Sequence, residues 1–265
     1  MITSTENPVS SMFAPNGIQT IVLNRPEKAN ALSSSLLLHL EAALESARTD
    51  SNVRGIIITG SARSPFSVGA DLEELLEFGD TEALAYLELG HRAIGKIERL
   101  GKPSLAAING SALGGGLEIA LACSLRVAAE ESMFGLPEIT LGLIPGFGGT
   151  QRLPRVIGSG RAREMILTGN TCTAAEALQA GLITEVTRPD NLLRFAMTLL
   201  ERVLRNPMQA VNAALTALGA DDAEFEKALA RERQLCSQQM VSPEAKRILA
   251  RFIRKQAIAR LTSSS

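Results

Sequence analysis

An α/β fold followed by a helical C-terminal module is what this sequence predicts. Strand-like and helix-like runs alternate from residue 17 to about residue 190, with glycine and proline steps separating them. Beyond Asp190 no strand-like run occurs, and amphipathic helical patterns succeed one another.

Residues 17–24 (GIQTIVLN) mix alternation with β-branched side chains and stop at Arg25-Pro26, which reads as a strand. Ser33 and Ser34 are candidate N-caps of a helix reaching about Arg48, because Leu36, Leu37, Leu40, Leu44 and Ala47 fall on one helical face. Residues 53–59 form a buried-strand pattern closed by Gly60. A helical pattern starts near Asp71, and a longer one covers residues 81–100 before Gly101-Lys102-Pro103 breaks it. Residues 104–109 read as another strand, Gly114-Gly115-Gly116 opens a helix over residues 117–123, and short strands follow near 125–128 and 133–135. After Asp190, four helical stretches run to Arg260, punctuated by Asn206-Pro207 and Ser242-Pro243. The domain reading is an N-terminal extension (1–16), a core carrying the site (17–190) and a helical module (191–265). That module is too thin to close a core alone, so it is expected to pack on a neighbour or on another subunit.

Composition narrows the partners. Lysine and arginine number 27 against 28 acidic residues, a net charge of -1, which gives no electrostatic reason to expect nucleic acid or an anionic membrane. Residues 1–16 hold no basic residue and no apolar run, so neither a secretory nor a transit peptide is expected there, and no stretch reaches the roughly 18 apolar residues of a membrane helix. Cys123, Cys172 and Cys236 are odd in number and form no CxxC pair, which suits reduced thiols, packed as small hydrophobes, in a cytoplasmic protein. With only His39 and His91, a zinc cage or a serine/histidine triad is poorly supplied. Proton transfer is left to carboxylates.

The candidate chemistry sits in the segment 106–118 (AAINGSALGGGLE), where three glycines mark the turn from strand to helix. Such a start leaves amide N–H groups uncovered, and a carbonyl oxygen docked there would have its developing enolate charge stabilised by a free amide and the helix dipole. A glycine triplet alone is also what a tight packing turn requires. Glu118 follows it directly. Twenty residues on stands FGLPE, ending at Glu138, then GLIPGFGGTQ over 142–151; upstream lies PFSVGADLE over 65–73.

These segments, with LNRPEKANAL over 23–32, resemble the crotonase family of enoyl-CoA hydratases and isomerases, and the likeness covers nearly the whole chain. The resemblance implies a spiral of ββα repeats, with C-terminal helices packing between the subunits of a homotrimer that often pairs into a hexamer. It implies an acyl-coenzyme A thioester as substrate, its oxygen held by the amides of Ala70 and Gly115, with no metal or other cofactor because coenzyme A is part of the substrate. By the same likeness Glu118 holds and deprotonates the attacking water and Glu138 protonates the α carbon, a hydro-lyase reaction of the kind used in fatty-acid β-oxidation. A double-bond isomerase, or a weakly catalytic coenzyme A- or RNA-binding relative, is the alternative; the helix pattern of residues 33–48 has one arginine and no lysine, which disfavours a nucleic-acid face.

Substrate contacts carried over from the family are Lys28, Ala29, Ala70, Asp71, Leu72, Gly115 and Gly146, together with Phe252 and Lys255 from a C-terminal helix lent by a neighbour. Leu141, Leu143, Ile144 and Phe147 are candidates for the acyl pocket. Glu73 departs from the family pattern, standing where many hydratases have a phosphate-binding lysine, and Ser124 replaces a common aspartate.

Overall fold

The computed structural model describes residues 7–61, 64–218 and 223–263. The first strand, β1 (Val9–Phe13), falls inside the stretch read as an extension, and it pairs antiparallel with β2 (Ile18–Leu23), Val9 opposite Leu23. Of its five residues only Val9 is buried. VSSMF therefore carries no strand-like hydrophobic pattern; ladder bonds at a sheet edge hold it, which corrects the extension reading for residues 9–13. Residues 1–6 lie outside the described residues.

α1 (Ser34–Thr49) starts as expected, with the Ser33 side chain accepting the N–H of Leu36, and it buries Leu36, Leu37, Leu40, Leu44 and Ala47. β3 (Gly55–Gly60) is buried along its length. The pattern near Asp71 becomes α2 (Leu72–Glu77), with Asp71 as its N-cap, and the longer one becomes α3 (Asp80–Glu98). β4 (Ser104–Ile108), a two-residue β5 (Ala112–Leu113), α4 (Gly115–Ala122), β6 (Leu125–Ala129) and β7 (Met133–Gly135) follow. A 3-10 turn over Pro137–Leu141 leads to α5 (Gly149–Ile157) and α6 (Ser159–Thr168), then β8 (Thr171–Thr173), α7 (Ala174–Gln179) and β9 (Glu185–Thr187). The chain ends in α8 (Leu192–Leu204), α9 (Met208–Leu218), α10 (Ala223–Met240) and α11 (Pro243–Ser263).

Six strands form one sheet in the order β1-β2-β3-β4-β6-β9, parallel from β2 onward, and β5-β7-β8 form a second. Single bridges, Leu32 to Ala70 and Ser67 to Ala112, continue the ladder of the small sheet back toward the N-terminus. Each turn of chain thus contributes a strand to the large sheet, a short extended piece beside the small one, and a helix. This is the ββα spiral that the family resemblance implies.

The helices beyond residue 190 do not form one separate body. α8 buries Leu192, Ala196, Leu200 and Leu204 against Ile18, Ile57, Leu105, Ala107, Val127 and Ala129, so it covers one face of the large sheet. α10 packs on α3 and α5, and α11 on α2 and the turn at Glu138, all within the same chain. Lys246 of α11 donates to the carbonyls of Leu75, Leu76 and Phe78, capping the C-terminal end of α2. α9 is the exception, since it buries none of its residues.

Candidate active site

The glycine-rich junction is built by close backbone approach. Gly114 has φ 52 and ψ -128, which side chains other than glycine disfavour, and a Cβ there would stand 2.9 Å from Glu138 Oε1. A Cβ on Gly69 (φ 91) would stand 3.0 Å from Leu113 O and 3.2 Å from Gly115 N. The GAD segment, the glycine triplet and the PE segment therefore meet at one point. Around it the N–H of Val68 goes to Ala29 O, that of Gly69 to Ser67 Oγ, that of Asp71 to Leu32 O and that of Gly114 to Gly135 O. The amides of Ala70 and Gly115 find no acceptor among the described residues; Gly115 opens α4, where the first turn has no intrahelical acceptor.

Glu118 sits one turn into α4 and is 1% exposed. Its Oε1 accepts the N–H of Phe147 at 2.8 Å and of Gly149 at 2.6 Å, at the start of α5. Glu138 follows Pro137 in the first turn of the 3-10 segment, as its position after a proline allows, and its Oε2 is buried with no protein partner. Burial pushes both carboxyls up, Glu138 to about 8, and repulsion from Glu232 adds to the effect on each. Glu118 is also raised by Glu138, while its two amide bonds oppose the shift. The two carboxyls are hydrogen-bonded differently: Glu118 takes two N–H donors from the turn before and at the start of α5, whereas Glu138 has only its own backbone N–H as a donor and its Oε2 has no partner among the described residues.

The other expected contacts are distributed unevenly. Phe147 is buried and lies 3.1 Å from where a Cβ on Gly115 would stand, its ring tilted against Tyr86 at 5.4 Å. Gly146 packs against Leu87 and Cys236. Ala29 (φ 51) and Asn30 (φ 55) are left-handed, and the buried Asn30 side chain donates to Pro65 O and accepts the N–H of Arg25, tying the loop at 25–30 to the GAD loop. Asp71 is occupied structurally, capping α2 through Glu73 N and accepting from Arg25 at 3.1 Å; Leu72 is the first residue of α2. Lys28 is not free for a phosphate, because its Nζ lies 2.6 Å from Glu73, the residue that departs from the family pattern. Phe252 and Lys255 are exposed on α11, and Lys255 makes no ion pair among the described residues. Ser124 exchanges hydrogen bonds with Ser104 and has a structural place between β4 and β6.

Sequence reasoning missed Glu232, on α10, which is 3% exposed. It accepts the N–H of Gly148 at 2.6 Å, the N–H of Thr150 at 2.9 Å and the Thr150 hydroxyl. Arg152, 4% exposed, binds Glu98 through two bonds of 2.9 and 2.6 Å and donates to Phe147 O at 2.6 Å. Thr150 and Arg152 lie in the conspicuous segment after Gly142, but no local pattern marks Glu232.

The buried Glu118 and the half-buried Glu138, differently hydrogen-bonded and set beside the acceptor-free amides of Ala70 and Gly115, define an acid/base site suited to a carbonyl compound that passes through an enolate. The family model for enoyl-CoA hydratase/isomerase matches residues 14–258, and the chain belongs to that family. It is 41% identical over 237 residues to a putative enoyl-CoA hydratase/isomerase of Bacillus subtilis (89% of this chain, 91% of that protein). It is 36% identical to the short-chain-enoyl-CoA hydratase of Clostridium acetobutylicum, covering 91% of this chain and 93% of the relative. Among solved structures, the enoyl-CoA hydratase of Bacillus anthracis superposes with a TM-score of 0.78 at 38% identity, covering 85% of this chain and 90% of the other. An enoyl-CoA hydratase/isomerase from Xanthobacter autotrophicus Py2 superposes at 0.87 with 26% identity, covering 98% and 99%.

Proposed function

We propose that this chain is an enoyl-CoA hydratase, adding water reversibly across the 2,3 double bond of a 2-enoyl-CoA to give a 3-hydroxyacyl-CoA. The observation that carries this reading is the pair Glu118, buried, and Glu138, half-buried with its Oε2 buried and unpartnered, beside the acceptor-free amides of Ala70 and Gly115. The thioester oxygen takes those two N–H groups, each worth roughly 3 kcal/mol once charge develops. Ionised Glu118 accepts one proton from water as the water oxygen bonds to the β carbon. The π electrons move toward the thioester oxygen, and Glu138 delivers its proton to the α carbon. Glu118 now holds the proton that Glu138 has lost, and its return resets the pair. The names of the relatives support an acyl-coenzyme A ester as substrate, and the steps call for no cofactor beyond it.

The same reading makes the protein a homotrimer, single or paired into a hexamer. Its support is α9, whose sequence MQAVNAALTAL is largely apolar although the single chain buries none of it, and Leu218 at its end is 83% exposed. Three unpaired thiols favour the reducing cytoplasm, and no helix of the described residues is long and apolar enough to cross a membrane.

Crotonyl-CoA tests the reaction directly, since hydration abolishes the absorbance of the conjugated thioester. Glu118→Gln and Glu138→Gln are each expected to lose about 100- to 10,000-fold in kcat while still binding the ester. Wild-type turnover in either variant removes that residue from the mechanism. A 3-enoyl-CoA that gains absorbance, with no hydration of crotonyl-CoA, would replace the hydratase by the isomerase.

A further inference from the structure

The start of α5 is gripped from both sides. Four successive amides alternate between two buried carboxylates: Phe147 and Gly149 donate to Glu118, and Gly148 and Thr150 donate to Glu232. Gly149 and Thr150 are the first two residues of the nine-residue α5, Gly148 is its N-cap and Phe147 precedes it; amides at such a helix start have no intrahelical acceptors and attract negative charge. Glu232 also takes the Thr150 hydroxyl. On the carbonyl side of the same turn, Arg152 binds Phe147 O and is itself fixed by Glu98. A single buried carboxylate on α10 thus holds the other half of the turn that supports the proposed base.

We propose that Glu232 is a positioning residue of the reaction centre: by holding Gly148 and Thr150 it fixes the turn from which Glu118 takes its two amide hydrogens, and so aims the other Glu118 oxygen at the water. This rests on the hydratase reading above. Glu232 does not touch the substrate in this assignment; it acts through the turn and through its charge.

The charge consequence follows from the groups that face it. Glu118 of α4 and Glu138 of the 3-10 turn are both raised by it, Cys236 lies on its own helix, and Arg152 of α5, paired with Glu98 of α3, is its cationic neighbour. His91 of α3 lies 3.9 Å from it. Burial, then Arg233 and Arg152, hold His91 down to about 4, so near neutral pH it adds no positive charge. Neutralising Glu232 therefore removes one negative charge from beside both catalytic carboxyls, and both proton affinities fall.

The test is the pH dependence of crotonyl-CoA hydration for the wild type, Glu232→Gln, Glu232→Asp and Thr150→Val. Glutamine can accept one of the two amides but presents its NH2 to the other. Glu232→Gln is expected to lose about 10- to 100-fold in kcat with KM within about threefold, and both limbs of its pH profile are expected to move toward acid. Glu232→Asp keeps the charge but is one methylene short; its kcat is expected to fall while its limbs stay near the wild-type positions. Thr150→Val removes one donor only and is expected to lose about three- to tenfold in kcat with KM unchanged, which keeps the test open if Glu232→Gln fails to fold. A lowered melting temperature with unchanged kcat and unchanged limbs, in Glu232→Gln or in Thr150→Val, would reduce the residue to a structural support and overturn the proposal. An inactive wild type would instead overturn the hydratase reading.

Discussion

Glu138→Gln is expected to make the protein more stable while disabling it. In the folded chain this carboxyl keeps its proton up to about pH 8, whereas an unperturbed carboxyl loses it near 4.5. Between those values the folded state binds one more proton at this position than the unfolded state. The stability that it contributes is therefore complete below 4.5 and is lost as pH rises toward 8, by about 1.4 kcal/mol for each pH unit. The wild type should forfeit roughly 3 kcal/mol at pH 7 and roughly 5 kcal/mol above pH 8 on this account. Glutamine has nearly the same shape and no charge to desolvate, so it escapes the loss. Urea denaturation at pH 5, 7 and 9 measures the difference, which should be small at pH 5 and grow with pH. At pH 7 it corresponds to a melting temperature roughly 6 to 12 °C above wild type. Equal or lower stability of the variant at pH 7 and 9 would refute the argument, because it would mean that Glu138 is not held protonated in the fold.

Three other outcomes follow from the same geometry. Glu73→Gln releases Lys28 from its 2.6 Å ion pair, so KM for the coenzyme A ester is expected to fall about three- to tenfold at low salt and less at high salt, with stability within about 0.5 kcal/mol of wild type because the pair is exposed; an unchanged KM at low salt would show that Lys28 meets no phosphate. Gly114→Ala places a methyl group 2.9 Å from Glu138 Oε1 at a positive φ, and the expected result is at least a 100-fold loss of kcat with about 1–3 kcal/mol of strain, read by kinetics and denaturation together. Lys246→Met uncaps the carbonyls of Leu75, Leu76 and Phe78; stability is expected to drop by about 2 kcal/mol, and limited proteolysis should reach α11 sooner.

The elements legible in the sequence were those whose own residues carry the signal. α1 declared its buried face through five apolar positions and its start through Ser33, and the strand pattern closed by Gly60 became β3. Glycine and proline steps located the junction at 114–116 and the breaks before α9 and α11. β1, β8 and β9 were not legible. VSSMF, TCT and EVT are short and mostly not buried, and each exists as a strand only because another strand offers it a ladder. α5, α6 and α7 also went unread, and α5 buries only Gly149, Arg152 and Leu153, too few for an apolar stripe. Within the site, Glu118 and Glu138 stood out because a motif surrounds them. Glu232 did not, since its partners Gly148 and Thr150 lie 84 and 82 residues upstream and its own helix looks like an ordinary charged one. The Glu73 substitution was visible in the sequence, but its salt bridge to Lys28, 45 residues away, required the fold.

The grip of α10 on the start of α5 also sets when activity can appear during synthesis. Both strands that pair directly with β3 and every residue of the glycine junction are translated well before Glu232 leaves the ribosome. A chain halted after α9 could close its large sheet and still leave Gly148 and Thr150 without their acceptor. Such a fragment should bind poorly and turn over little, so turnover reports complete translation to beyond residue 232 more faithfully than folded sheet content does.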